Sequence, residues 1–192
     1  LLVARNLTST MSRYVKDVKA AFTVAVESGS LDVPVNGMND LLVSLDVVRV
    51  SIVTADGDLV KTLAGLPNAD DDPVPAKRLQ ELRTLLKPGS TEPALSNLYH
   101  DAKNNPVFYM IRPLSDGRFA VGVVRTRYLI TLQQAIAFGD RGHAVMVDAK
   151  GQVIAHPFKD WVAASRDISG VNVVAAMVRG QTGVDQFYSP AF

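Results

Sequence analysis

An α+β fold is predicted, an antiparallel sheet led by a long helix, and three observations predict it. Leu7, Met11, Tyr14, Val15, Val18, Phe22 and Ala25 recur at steps of three and four, drawing one apolar stripe along a helix. The run Val107 to Val124 sets two β-rich stretches around Ser115-Asp116-Gly117, a strong hairpin signal. Ile52 to Val60 aligns without gaps to Met146 to Ile154, both being strand, polar turn with glycine, strand, so the chain echoes itself.

The bulk numbers narrow the function classes. At 192 residues, 47% hydrophobic and 20% charged, the chain is long enough for one large or two small domains with real cores. A net charge of +1 argues against a broad nucleic-acid surface. No cysteine is present, which excludes disulfides and thiolate metal sites and leaves the redox compartment unread. No run reaches the roughly 20 apolar residues a membrane span needs. The sequence opens in mid-phrase with Leu1-Leu2-Val3, as a piece of a longer protein would.

In chain order, residues 1 to about 28 form the long helix, with Gly29 as its stop. Its stripe packs either on its own sheet or against the same helix of a second copy. Residues 36–45 follow as a short helix, then a strand over 47–53, a turn at Asp56-Gly57 and a returning strand over 59–63. Residues 65–75 carry Pro67, Asp70-Asp71-Asp72, Pro73 and Pro75 and read as a loop. Leu79, Leu82, Leu85 and Leu86 mark a helix over 76–86 that ends at Pro88-Gly89. A short strand over 95–100 leads to the central hairpin, and residues 128–138 make a connecting helix. A five-stranded antiparallel sheet with helices inserted after its second strand satisfies this order. The second copy adds a helix over 171–179 and a strand over 184–188, then stops two or three strands short of completion, so that the native chain is expected to continue.

This order resembles the double Cache sensor domains, PAS-like modules outside the membrane in bacterial histidine kinases, chemoreceptors and cyclic-di-nucleotide enzymes. The likeness rests on Asp116-Gly117-Arg118-Phe119 with Gly122-Val123-Val124, and on Val147-Asp148 through Gly151 to Ala155-His156-Pro157. Gly180-Gln181-Thr182-Gly183 with Tyr188-Ser189-Pro190 matches a later passage of the second module. The resemblance implies a long helix over 1–29, a membrane-distal module over 30–138 and a partial membrane-proximal module over 139–192. It implies the periplasmic portion of an inner-membrane receptor, anchored through segments outside this chain, that binds a small molecule in the distal module and moves membrane-crossing helices. The Val107–Val124 hairpin would be the closing sheet edge of the distal module.

Candidate ligand-binding residues are Arg49, Tyr99, His100, Tyr109, Arg112 and Arg127. Arg49 and Arg112 interrupt apolar strands, where a guanidinium either grips a carboxylate bidentately or forms a structural ion pair. Tyr99, His100 and Tyr109, on neighbouring strands, offer donors or a pocket wall. Amino-acid-binding members of the family place an acidic residue where this chain has Arg127, and no Arg-x-Trp-Tyr precedes the third strand. Both departures point away from an amino acid and toward a small organic anion. His143 and His156 fall opposite one another if the hairpin is counted outward from Asp148–Gly151, yet a third metal ligand is wanting, so no metal and no cofactor is expected.

No G-x-S-x-G, H-E-x-x-H, phosphate loop or G-x-G-x-x-G occurs, and no catalytic residue is assigned. Three rival readings stay open. One is a structural module that only dimerises through the N-terminal helix. Another is a small hydrolase, which a nucleophile hydrogen-bonded to His100 or His143 in a pocket would support. The third is a cytoplasmic PAS-like domain.

Overall fold

The computed structural model describes residues 2–31, 36–66, 74–135, 137–138 and 142–183. The Asp70–Asp72 run and the strand expected over 184–188 lie outside them. Two compact units emerge. The first comprises Leu1–Ser96 and Val107–Arg125, and the second Asn97–Pro106 and Thr126–Phe192. The division thus falls after Arg125, where the sequence reading drew it after 138, and residues 97–106 belong to the second unit.

In the first unit, α1 (Leu2–Ser30) and α2 (Met38–Ser44) precede the strand pair β1 (Val47–Val53) and β2 (Leu59–Gly65). Helix α3 (Ala76–Arg83) is inserted next, before β3 (Ala94–Leu95). The short strand expected over 95–100 is two pieces, β3 and β4 (Tyr99–His100), the latter in the 97–106 segment. The hairpin β5 (Pro106–Pro113) and β6 (Phe119–Arg125) completes an antiparallel sheet in the order β2-β1-β6-β5-β3. The hairpin is therefore the centre of the sheet and not its closing edge. Its strands are buried almost throughout, because β1 pairs with β6 from one side and β3 with β5 from the other. Continuous apolar runs such as VFYMI and FAVGVV are what a strand covered on both faces requires.

Alternate side chains of this sheet face α1. Tyr14, Val18, Ala21, Phe22, Ala25 and Val26 of the helix are buried, and Tyr14 donates its hydroxyl to the Leu45 carbonyl at 2.9 Å. The apolar stripe between Tyr14 and Val26 is thus used on the chain's own sheet. The outer side, with Ser12, Arg13, Lys16 and Asp17, is exposed and polar.

In the second unit, α4 (Arg127–Gln134) replaces the longer helix expected over 128–138. It is followed by the two-residue strands β7 (Ala137–Phe138), β8 (Gly142–His143) and β9 (Met146–Val147), and by β10 (Val153–Ala155). Helix α5 (Lys159–Ala163), absent from the sequence reading because five residues leave no periodic signal, precedes α6 (Asn172–Val178). Val153, Val162, Ile168 and Val174 form a small core, with Ile130, Val147 and Trp161 packed on it. The pairing is β7 with β8 and β9 with β10, so His143 is opposite Ala137 and not opposite His156.

The internal echo is a structural repeat in its turns. Thr54 and Asp148, equivalent in the alignment, each begin a three-residue loop closed by N–H···O bonds to Asp58 and Gln152 at 2.9 and 3.0 Å. Each also uses its side-chain oxygen to accept two backbone N–H groups two and four residues on. Gly57 and Gly151 take the left-handed place, with φ of 99° and 84°. A type I turn ending in a left-handed residue explains why one glycine suffices. The hairpin turn at Leu114–Arg118 and the loop Asp101–Asn105 repeat the pattern, with Gly117 and Asn104 left-handed.

Candidate functional site

Strand register fixes which side chains share the face away from α1. Across β1, β6 and β5, directly opposed residues line up as Arg49–Val123–Tyr109, then Ser51–Val121–Ile111, then Val53–Phe119–Pro113. Directly opposed residues of an antiparallel pair lie on one face, and every second residue along a strand returns to it. Helix α3 belongs to this face. Its Arg78 guanidinium lies 5.7 Å from the Tyr109 ring centroid and its Arg83 guanidinium 5.1 Å from that of Phe119. Leu79 and Leu82, between these arginines on the helix, are buried.

The face therefore carries Arg49 on β1 and the Arg78 guanidinium over the Tyr109 ring. Arg78 also meets the Glu81 carboxylate at 3.7 Å, a loose pair that leaves the cation–π geometry in place. On the adjoining row Ser51 is only 3% exposed, and its hydroxyl has no hydrogen-bond partner among the described residues. Ser96, which ends the same face beyond β3, accepts the Tyr109 N–H at 2.9 Å and pins that strand locally.

The candidates divide between the two faces of the first unit's sheet and the second unit. Arg49 and Tyr109 share the α3 face. Arg112 lies in the row Ile52–Ala120–Arg112 on the α1 face, where its Nη2 meets Glu27 of the helix at 3.0 Å. Period two in a strand separates Tyr109 from Arg112, since an odd number of steps changes face. Tyr99, His100 and Arg127 belong to the second unit, Arg127 as the exposed first residue of α4.

In that unit His100 Nε2 stands 3.2 Å from Ser165 Oγ and 3.3 Å from the Ala163 carbonyl oxygen. A carbonyl only accepts, so with the proton on Nε2 Ser165 is an acceptor, and with the proton on Nδ1 Ser165 is the donor. Asp148 is buried, and its carboxylate accepts N–H groups from Leu98, Lys150 and Gln152, each at 2.9 Å. His156 Nδ1 accepts the Phe158 N–H at 2.9 Å, with its ring stacked on Trp161 at 4.6 Å, and Arg166 lies 4.1 Å over that indole. Among the described residues no three His, Asp or Glu side chains are grouped to hold a metal.

Sequence reasoning passed over Ser51, Arg78 and Arg83. Ser51 had a signal, the one small hydroxyl inside VVRVSIV, a strand otherwise apolar apart from Arg49. The two arginines had none, because only the folded helix brings them over aromatic rings.

Comparison with solved structures finds the same fold. The extracellular domain assigned to a histidine kinase, rpHK1S-Z16, matches over 90% of this chain and 74% of its own, with a TM-score of 0.64 and 15% identity. The ligand-binding domain of the Pseudomonas aeruginosa PAO1 amino-acid chemoreceptor PctB, in complex with L-Gln, matches over 86% of this chain and 72% of its own, with a TM-score of 0.50 and 19% identity. No protein-family model matches the chain, and no curated protein matches it in sequence. The α+β, PAS-like architecture expected from the resemblance to double Cache domains is thus the architecture present.

Proposed function

We propose that this chain is an extracytoplasmic small-molecule sensing region of a bacterial signalling receptor. The observation that carries the proposal is the fold, shared over 90% of the chain with an extracellular domain assigned to a histidine kinase. No helix among the described residues is long and apolar enough to cross a membrane, so anchoring would fall to segments outside this chain.

The ligand site is the α3 face of the first unit. Arg78 supplies a guanidinium over the Tyr109 ring, and Arg49 a second one from β1 on the same face. A partly desolvated guanidinium holds a planar oxyanion by two parallel hydrogen bonds, and an aromatic wall limits what fits beside it. A small organic anion is therefore the ligand class. Arg127, at the position where the amino-acid-binding pattern has an acid, is a cation and offers an amine no counter-charge. Occupancy would bias the sheet and the helices packed on it between two arrangements, which is how binding becomes a signal. A homodimer contact through α1 would use the helix surface outside the occupied Tyr14–Val26 stripe.

The test is a melting-temperature titration with acetate, propionate, lactate, succinate, malate and citrate. At least one acid raises the midpoint, as mass action on a folded-state site requires, and Arg49→Met removes the rise. A flat response to all six eliminates the anion reading.

A further inference from the structure

We infer that Ser51 is the specificity-determining residue of this site, and that the ligand it selects is a short carboxylic acid carrying a second oxygen next to the carboxylate. The inference rests on the reading of the α3 face as the ligand site. Its own observation is separate from that reading: a hydroxyl at the centre of the sheet, 3% exposed and with no hydrogen-bond partner among the described residues.

A buried hydroxyl normally finds an acceptor or a donor, and one left without costs free energy that an alanine of nearly the same volume would not. Position 51 is also poorly suited to serine on local grounds. Small polar residues are weak strand formers, and Val50, Ile52 and Val53 around it are all β-branched. The position therefore makes sense if the partner arrives from outside the chain. Ser51 and Arg49 are two residues apart on β1 and on the same face, a separation of roughly 6.6 Å along the strand. That span, closed by the length of the arginine side chain, suits a molecule of two to four carbons. Its carboxylate meets the guanidinium, and a hydroxyl or keto oxygen on the adjoining carbon meets Ser51. On the same row Val121 and Ile111 are apolar, and the exposed Thr62 opposite Ser51 on β2 carries the other hydroxyl. Rejection of the analogue lacking it follows from the same geometry, because the buried hydroxyl would again be left alone.

Lactate and propionate differ by this one hydroxyl and are the probes. Calorimetric titration of the full chain should give lactate a dissociation constant about tenfold below that of propionate, the discrimination one ordinary neutral hydrogen bond supplies. Ser51→Ala should bring lactate to the propionate value and leave propionate unchanged, with no fall in melting temperature because no internal bond is lost. Ser51→Thr, which keeps the hydroxyl, should retain the preference. If propionate binds as tightly as lactate, or if the preference survives in Ser51→Ala, the assignment of Ser51 is overturned while the ligand face stands. If neither acid binds the unmodified chain, both readings fall together.

Discussion

The ring of Phe22 on α1 fills the space that a side chain at Gly122 on β6 would need. A Cβ built there would stand 2.9 Å from the ring carbon Cδ2 and 3.1 Å from the Met110 methyl. The helix is seated on the sheet at a place where the central strand has no side chain at all. Gly122→Ala should therefore destabilise the first unit by about 1–3 kcal/mol through overpacking. Urea denaturation followed by circular dichroism measures this. A value near zero would mean that the helix lifts without cost.

The opposite change at the same contact tests the core from the other side. Phe22 is fully buried, and Phe22→Ala leaves a cavity against Met110 and Gly122. The expected loss is about 3–5 kcal/mol. Combining it with Gly122→Ala should recover part of that loss, since the new methyl enters the vacated space. Strict additivity of the two changes would contradict direct contact.

Arg112 and Glu27 make an unequal pair, the arginine side chain 15% exposed and the glutamate 58%. Two of the arginine's buried nitrogens, Nε and Nη1, have no acceptor among the described residues. Glu27→Gln should thus cost about 1 kcal/mol, by leaving a largely buried cation less well compensated. Arg112→Met, which removes that burden, should be neutral or stabilising. Equal losses from both would show an ordinary surface pair instead.

Asp148 gathers three backbone N–H groups on one buried carboxylate. Asp148→Ala should cost about 3 kcal/mol or more, and Asp148→Asn less, since its amide oxygen still accepts. Hydrogen exchange at Leu98, Lys150 and Gln152 should accelerate together. If only Lys150 and Gln152 respond, the Leu98 contact carries no weight.

Acid has a defined, local effect on the central hairpin turn. The carboxyl of Asp116 is held below its usual value of 3.8, chiefly by the side chain of Arg118 and then by that residue's backbone N–H. A depressed carboxylate supports the fold fully above its unfolded value, and the support is lost as pH falls through the lower folded one. The turn should consequently be indifferent to pH through neutrality and loosen only in strong acid. Carbon-13 titration of Asp116 should give a midpoint below 3.8, and Arg118→Gln should raise it. An unshifted midpoint would mean that the pair does not persist in solution.

Legibility from sequence divides along physical lines. The stripe on α1 and the β-rich hairpin were readable because burial writes itself as period and apolarity, and Tyr14, Val18, Phe22 and Val121 are buried accordingly. The order of strands was not readable, since β1 pairs with β6 across some 70 residues and no local signal records it. The same limit applies to the candidate residues. Arg49 and Arg112 look alike in sequence, each a cation in an apolar strand, and only register puts them on opposite faces. Tyr99 and His100 lie four and five residues past the end of β3, yet they belong to the other unit. Ser51 was overlooked because a lone serine in an apolar strand does not reveal whether its hydroxyl finds a partner.

Trp161 is the chain's single tryptophan, and it belongs wholly to the second unit. Stacked on the imidazole of His156 and overlaid by the Arg166 guanidinium, its indole has an emission sensitive to any rearrangement of those two groups. The five tyrosines contribute little when excitation is set at the red edge of absorption. The protein thus contains a built-in fluorophore on one side of its own division. A carboxylic acid on the α3 face would bind residues of the first unit, and the indole belongs to the second. Any change in emission on adding one would be a message received, readable without a label.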